Sequence, residues 1–378
     1  MKKVIFLAIA AAAALTACSK SEVIDSKYGN DMIGFETYLG RDAQTKVTPT
    51  LTETFTEFGV YGFYTGNAEY APETVANLMN KVVVSYGTDG WTYSPVKYWT
   101  NATDNYTFLA YAPSTLTTAQ RLNDNGNAAL AAPEITYTVV DDIANQIDVL
   151  YSNNNKNVSK EECTTTQTDG ETVTTVPFTF KHALSRITVK ANAEMYDKNG
   201  EKVTGTEAPE GGYDNTFTIT SIQLAGAFNT TGTFNLNDGQ WTTLTAGTGT
   251  YSFFTGEKAL TATVYDFSNT TVAEDNTVTW GNNYLMALPT DFSAKTGEGE
   301  EATFTKTAIL TVKYKVTYAG STSAENTATV KINTNFEQGK AYSINIQLMR
   351  DPDNAIKFSV TTVEDWGTEV NVNNNVEA

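Results

Sequence analysis

The 378-residue chain has few of the side chains on which metal sites and many catalytic sites depend: two cysteines and one histidine. A zinc site needs several cysteine or histidine ligands, so we expect no metal centre of this kind, and no motif implies a cofactor. A serine or cysteine nucleophile would need His182 as its base, and no carboxylate stands near His182 in the sequence. We therefore expect His182 to be structural and the protein not to be an enzyme.

Basic residues are also scarce, with 25 lysines and arginines against 43 aspartates and glutamates and a formal net charge of -18. Such a surface repels phosphate groups, which argues against nucleic acid as a partner. Long runs of helix-forming residues are missing after the first twenty positions, whereas glycine, asparagine and threonine are plentiful. This composition favours strands and turns over helices.

The longest apolar run, residues 4–14, follows a basic start and is too short to span a bilayer of about 30 Å. It predicts a secretory signal peptide over residues 1–17 and a polar tether over 18–32. The stretch Leu15-Thr16-Ala17-Cys18 resembles the lipobox of bacterial lipoproteins, in which the cysteine is acylated and starts the mature chain. The resemblance implies a membrane anchor at Cys18; the alternative is a plain signal peptide. No disulfide is expected, because the only other cysteine, Cys163, lies in a polar stretch.

Alternating apolar residues predict many short strands and an all-β fold. Ile33, Phe35 and Leu39 alternate in a first strand, which a polar loop carrying Arg41 and Lys46 follows. We predict two tandem β-sandwich domains, over residues 33–205 and 206–378, and an exposed hairpin loop over 152–175. Further strands are predicted at 58–64, 81–86, 106–111, 134–140, 178–193 and 308–318.

Exposed aromatic residues offer a different hypothesis, a platform on which a sugar could stack. Trp91, Tyr93, Tyr98 and Trp99 are the candidates, although such residues in β-sandwiches more often pack in the core. Paired carboxylates for glycoside hydrolysis are not singled out by any spacing, so a hydrolase ranks last.

Together these motifs resemble the fimbrillin (type V pilin) lipoproteins of Bacteroidales. The matching pieces are the lipobox at Cys18, the pair Ile33 and Phe35, the basic residue of the next loop, residues 106–113, 148–151, 178–187 and 336–342, and Trp366. The resemblance implies two transthyretin-like β-sandwich domains in a structural subunit of an adhesive fimbrium. It also implies transport to the outer membrane and the cell surface, with other fimbrial subunits as partners.

The same resemblance implies an assembly route that starts with proteolysis. An arginine-specific or trypsin-like protease cuts the loop after the first strand, and a strand from another subunit fills the groove. The cut would follow Arg41, with Lys46 as the alternative, and would release Ile33, Phe35 and Leu39. Uncovering their contacts costs about 1.5 to 3 kcal/mol per large side chain, roughly 5 to 9 kcal/mol together.

The C-terminal tail is the candidate donor strand, because Val370, Val372 and Val376 share one face. A disordered terminus is the alternative for this tail. For the whole protein, the alternative function is a monomeric surface lipoprotein that binds glycans or proteins. Stalk, anchor and tip subunits share these motifs, so the position in a fibre stays open.

Overall fold

The computed structural model describes residues 31–39, 56–88, 90–122, 130–166, 170–204, 209–268, 284–297, 303–318, 320–349, 356–363 and 374–375. Its regular structure consists of strands and one single-turn 3₁₀ helix, Ile143–Asn145, so the predicted all-β class is confirmed. Among these residues, no helix has the length and apolar character to cross a membrane.

Thirteen of the strands precede residue 205. They are β1 Gly34–Leu39, β2 Glu57–Gly66, β3 Met79–Gly87, β4 Gly90–Tyr93, β5 Asn105–Ala112, β6 Thr117–Leu122, β7 Leu130–Thr138, β8 Leu150–Val158, β9 Thr164–Thr166, β10 Thr172–His182, β11 Ser185–Ala193, β12 Met195–Tyr196 and β13 Lys202–Val203.

The remaining strands follow that position. They are β14 Asn215–Gly226, β15 Asn229–Asn235, β16 Gln240–Ala246, β17 Gly249–Ala259, β18 Tyr265–Asp266, β19 Leu285–Ala287, β20 Thr290–Asp291, β21 Lys295–Thr296, β22 Thr303–Phe304, β23 Ala308–Tyr318, β24 Ser321–Thr322, β25 Asn326–Ile332, β26 Asn335–Phe336, β27 Ala341–Leu348, β28 Ile356–Val363 and β29 Asn374–Asn375.

The largest sheet has the order β1-β10-β8-β5-β2-β3-β4, with β9 attached to β10. Its central strands β2 and β5 are buried on both faces. Successive side chains of a strand point to opposite sides, so each of these strands contributes to two cores. In β2, Phe58 and Val60 face a compact apolar cluster that we call the N-terminal cluster, whereas Tyr61 and Phe63 face a second, larger core. The N-terminal cluster comprises Ile33, Phe35, Phe58, Val60, Met79, Val84, Trp91, Trp99, Tyr106, Phe108, Ala110, Ala112, Leu150, Cys163, Val176, Phe178 and Phe180.

The larger core lies between this sheet and three others. A four-stranded sheet, β16-β15-β7-β6, lies on one side of this core. There the ring centroids of Phe234 in β15 and Tyr151 in β8 lie 4.7 Å apart. Two further sheets, β18-β11-β27-β28-β29 and β17-β14-β23-β24, contribute the apolar side chains of β11, β14, β23 and β27 to the same core.

Strand pairing crosses residue 205 in both directions. Strand β11 pairs in parallel with β27 from Arg186↔Ala341 to Ala193↔Leu348, and β15 pairs with β7. Strands from each side of the predicted division therefore join sheets on the other side. The division at residues 205 and 206, the number of domains and the transthyretin-like fold stay predictions.

The exposed loop predicted over residues 152–175 is wrong. Strands β8, β9 and β10 occupy most of this stretch, and Ser152 and Asn155 are buried. Asn154 and Asn155 each donate from the side-chain amide to the Pro177 carbonyl at 2.8 Å. Backbone acceptors on the neighbouring strand thus satisfy asparagines that local polarity assigns to a turn.

Candidate functional site

The candidate site is strand β1 together with the groove that it occupies. Strand β1 pairs in parallel with β10 from Gly34↔Thr175 to Leu39↔Phe180. Since β1 ends the strand order of its sheet, its removal would expose the edge of β10. An exposed edge is a template for pairing with another strand.

The beginning of β1 also has hydrogen-bond partners on its other side. The Ile33 amide donates to the Lys97 carbonyl at 3.0 Å, and the Trp99 amide donates to the Asp31 carbonyl at 2.8 Å. The Tyr93 hydroxyl donates to the Ile33 carbonyl at 2.8 Å, and burial raises the Tyr93 pKa to about 12, which keeps this donor protonated. The groove therefore has two walls at this end, and the position of the strand along it is well defined.

Phe35 fills the centre of the groove and is completely buried, as is Ile33. Four aromatic rings surround it, and the nearest parallel one is Phe178, with 5.4 Å between centroids and 24° between planes. The other three rings are Phe58 at 6.1 Å, Tyr93 at 5.4 Å and Phe108 at 6.0 Å. Such stacked, tilted and edge-to-face pairs contribute beyond the apolar area that they bury.

Gly34 lies between these two side chains and points to the other face of the strand. A Cβ atom at this position would lie 3.3 Å from both the Thr174 carbonyl oxygen and Thr175 Cγ2. That separation is tighter than ordinary van der Waals contact, so the groove favours a residue without a side chain here. Outside the groove, Asp31 pairs with Lys160 at 2.7 Å, and because Asp31 is largely exposed the pair contributes little.

The structure brings Ile33 and Phe35 together in the N-terminal cluster, and β1 extends to Leu39, whose side chain lies outside the described residues. The residues predicted for acylation, cleavage and strand donation also lie outside them, and so does Trp366. They are Cys18, Arg41, Lys46, Val370, Val372 and Val376. Between these valines, Asn374 and Asn375 pair with Val360 and Ser359 of β28. That β1 is removable and that the tail is a donor both stay predictions.

Cys163 belongs to the same cluster, although its sequence neighbours are polar. Its carbonyl accepts the Thr175 amide at 3.0 Å, directly beside the start of β1. Burial, with a smaller contribution from Glu162, raises the pKa of the Cys163 thiol to about 12. The thiol is therefore a buried apolar group and a poor nucleophile.

The proposed sugar platform is not formed by the tryptophans. Trp91 and Trp99 are buried in the N-terminal cluster, against Phe58 and Tyr106 respectively. Of the four candidate aromatic residues, Tyr98 is the exposed one, at 47%. Packing in the core, the more frequent role of such rings, is what the structure shows for both tryptophans.

His182 contacts Asp148, with Nδ1 and Oδ2 2.6 Å apart and side-chain exposures of 11% and 9%. Asp148 lies 34 residues earlier in the sequence, so the residues near His182 in the sequence do not reveal the pair. The pair joins the segment just before β8 to the end of β10. Within the described ranges, no three histidine, cysteine or carboxylate side chains lie where they could hold a metal ion.

Comparisons with known proteins agree with this architecture. The model of a family described as fimbrillin-like matches residues 45–366, which leaves β1 before the matched range. The fimbrium subunit Fim1C of Phocaeicola vulgatus is 28% identical over 224 residues, which cover 54% of this chain and 56% of the relative. The match thus spans about half the length of that curated relative.

A solved structure supports the fold independently. The crystal structure of a fimbrial protein from Bacteroides vulgatus ATCC 8482 superposes with a TM-score of 0.55 and 18% identity. The superposition covers 89% of this chain and 99% of that chain.

Proposed function

Because the chain belongs to the fimbrillin-like family, we propose that it is a structural subunit of an adhesive fimbrium on the cell surface, which assembles with other fimbrial subunits. The observation that carries this proposal is the burial of β1: an edge strand whose Ile33 and Phe35 side chains are completely enclosed. An edge strand of this kind can be replaced by a strand of another chain that makes the same contacts.

Proteolysis of the loop after β1 would start the assembly. Cleavage after Arg41, or after Lys46, separates β1 from the remainder of the sheet in sequence while leaving it in place. Loss of the strand then uncovers the groove, at about 1.5 to 3 kcal/mol for each of the two buried side chains, or roughly 3 to 6 kcal/mol. That cost is a large part of the stability of an ordinary domain, so an empty groove favours capture of a new strand.

We propose that Cys18 is acylated and anchors the precursor in the outer membrane. The tail with Val370, Val372 and Val376 would serve as the strand that this subunit contributes to a neighbour. The role is structural, and the family offers no catalytic activity to account for.

Limited trypsin digestion tests the processing step. We expect the digested protein to form SDS-resistant species that elute early in gel filtration. The double variant Arg41→Ala with Lys46→Ala should stay monomeric under the same digestion. Lys198→Ala, which removes an exposed lysine in the turn between β12 and β13, is the matched control and should behave like the parent protein.

Two outcomes contradict the proposal. A digested protein that loses residues 33–39 and stays a stable monomer is incompatible with strand exchange. Assembly of the double variant to the same extent as the control shows that cleavage in this loop is not the trigger.

A further inference from the structure

The groove of β1 distinguishes three consecutive positions. Ile33 and Phe35 are enclosed on one face, and Gly34 lies against backbone on the other. The order is therefore a large aliphatic side chain, no side chain, and an aromatic ring. Because these positions are consecutive in a strand, a shift by one residue would turn every side chain to the wrong face.

The aromatic position is the most demanding of the three. Rings of Phe58, Tyr93, Phe108 and Phe178 surround Phe35 with centroid distances between 5.4 and 6.1 Å. A smaller side chain at this position leaves a cavity lined by these rings, and a cavity in a close-packed interior weakens binding.

The backbone contacts at the start of β1 determine its direction. The carbonyl at position 31 and the amide and carbonyl at position 33 bond to Trp99, Lys97 and Tyr93. A strand that keeps these bonds runs parallel to β10, as β1 does.

The C-terminal tail of this chain does not match these requirements. In the segment 370–376, Val370, Val372 and Val376 share one face, and positions 371, 373 and 375 on the opposite face are asparagines. The segment has no aromatic residue, so valine would take the place of Phe35 and asparagine the place of Gly34. The only glycine after Trp366 is Gly367, and its neighbours Trp366 and Thr368 stand in the reverse order of large and smaller side chains.

We propose that the groove of β1 binds most tightly a strand that runs parallel to β10 and presents an aliphatic residue, a glycine and an aromatic residue at the positions of Ile33, Gly34 and Phe35, and that a fimbrial subunit of different sequence supplies this strand. This selectivity rests on the proposed strand exchange, and it specifies the side chains of the strand that the groove binds. The tail of a second copy of this chain is a weaker occupant, which fills the groove when no chain with the matching triplet is present.

Competition between peptides tests the selectivity. The protein is cut with trypsin after Arg41, and exchange of its β1 segment for a fluorescent peptide of residues 29–40 is followed by anisotropy. Unlabelled competitors are the same peptide, its Phe35→Val, Gly34→Val and Thr37→Ala forms, and a peptide of residues 366–376. Thr37 is half-buried and outside the triplet, so its variant is the matched control.

We expect Phe35→Val to compete about 30-fold more weakly than the parent peptide and Gly34→Val about tenfold more weakly. Thr37→Ala should stay within about threefold of the parent, and the tail peptide should compete at least about 30-fold more weakly than the parent. Equal competition by the tail peptide or by Phe35→Val overturns the selectivity while leaving strand exchange intact. Failure of every peptide to exchange, including the β1 sequence itself, overturns the proposed function and the selectivity with it.

Discussion

The Phe35 ring stacks on Phe178, which occupies a diagonal position on the parallel partner strand, with 5.4 Å between the ring centroids. This contact joins β1, the strand that the proposed assembly route removes, to the centre of the N-terminal cluster. Strand β1 therefore lies at the edge of its sheet, whereas its Phe35 side chain contributes to the free energy of unfolding as a core residue does.

Replacing Phe35 should destabilise the protein strongly. We expect Phe35→Ala to lower the free energy of unfolding by about 3 to 5 kcal/mol, because the surrounding rings cannot close the cavity. Thr37→Ala in the same strand should change it by less than about 1 kcal/mol. Urea denaturation of both variants provides the measurement, and equal effects would contradict the central role of Phe35.

Cys163 should report whether the groove is open. Burial raises the pKa of the Cys163 thiol to about 12, so little thiolate is present at pH 8 and iodoacetamide should react slowly with the intact protein. In a Cys18→Ser variant Cys163 is the single cysteine, and mass spectrometry follows its alkylation. The rate should rise at least tenfold when trypsin has cut the loop and β1 has left; an unchanged rate after loss of β1 would show that the cluster does not open.

Trp91 should matter for stability and not for recognition of a surface ligand. Its ring lies 4.9 Å from Phe58 within the N-terminal cluster, so Trp91→Ala should cost about 3 to 5 kcal/mol. Tyr98→Ala, at an exposed ring, should cost less than about 1 kcal/mol. Thermal unfolding distinguishes the two. A Trp91→Ala protein of normal stability that has lost glycan-array binding would support the sugar platform instead.

Gly59 should not tolerate a side chain. A Cβ atom there would lie 2.1 Å from Tyr111 Cζ. Tyr111 belongs to the neighbouring strand β5, pairs with Gly59 and is buried. We expect Gly59→Ala to lower the free energy of unfolding by about 1 to 3 kcal/mol or more. Gly87, which has open space around its Cα, is the control, and Gly87→Ala should be neutral or slightly stabilising. Similar effects of the two changes would mean that Tyr111 moves aside freely.

The strands that the sequence predicts are largely confirmed, because side-chain alternation is a local property. The strands predicted at residues 58–64, 106–111 and 308–318 lie within β2, β5 and β23. Ile33 and Phe35 were likewise assigned to one buried face, which is confirmed. Their alternation needs no knowledge of the partner strand.

What the sequence does not reveal depends on distant partners. Asn155 can be buried because its side-chain amide donates to the Pro177 carbonyl. The residues next to Asn155 in the sequence do not predict that hydrogen bond. The pairing of β15 with β7 and the contact of Cys163 with β10 are of the same kind. Local polarity predicts that such residues are exposed to solvent. They are buried because hydrogen bonds to distant strands replace their hydrogen bonds to water.

Mass spectrometry of the assembled species tests most directly whether β1 leaves its groove when subunits assemble. SDS-resistant species formed after trypsin digestion would be isolated, unfolded by boiling in SDS and analysed for the peptides that they contain. We predict subunits that begin after Arg41 or Lys46 and no peptide containing Ile33 and Phe35. Assembled species that retain residues 33–39 in one-to-one proportion with the rest of the chain would contradict the account.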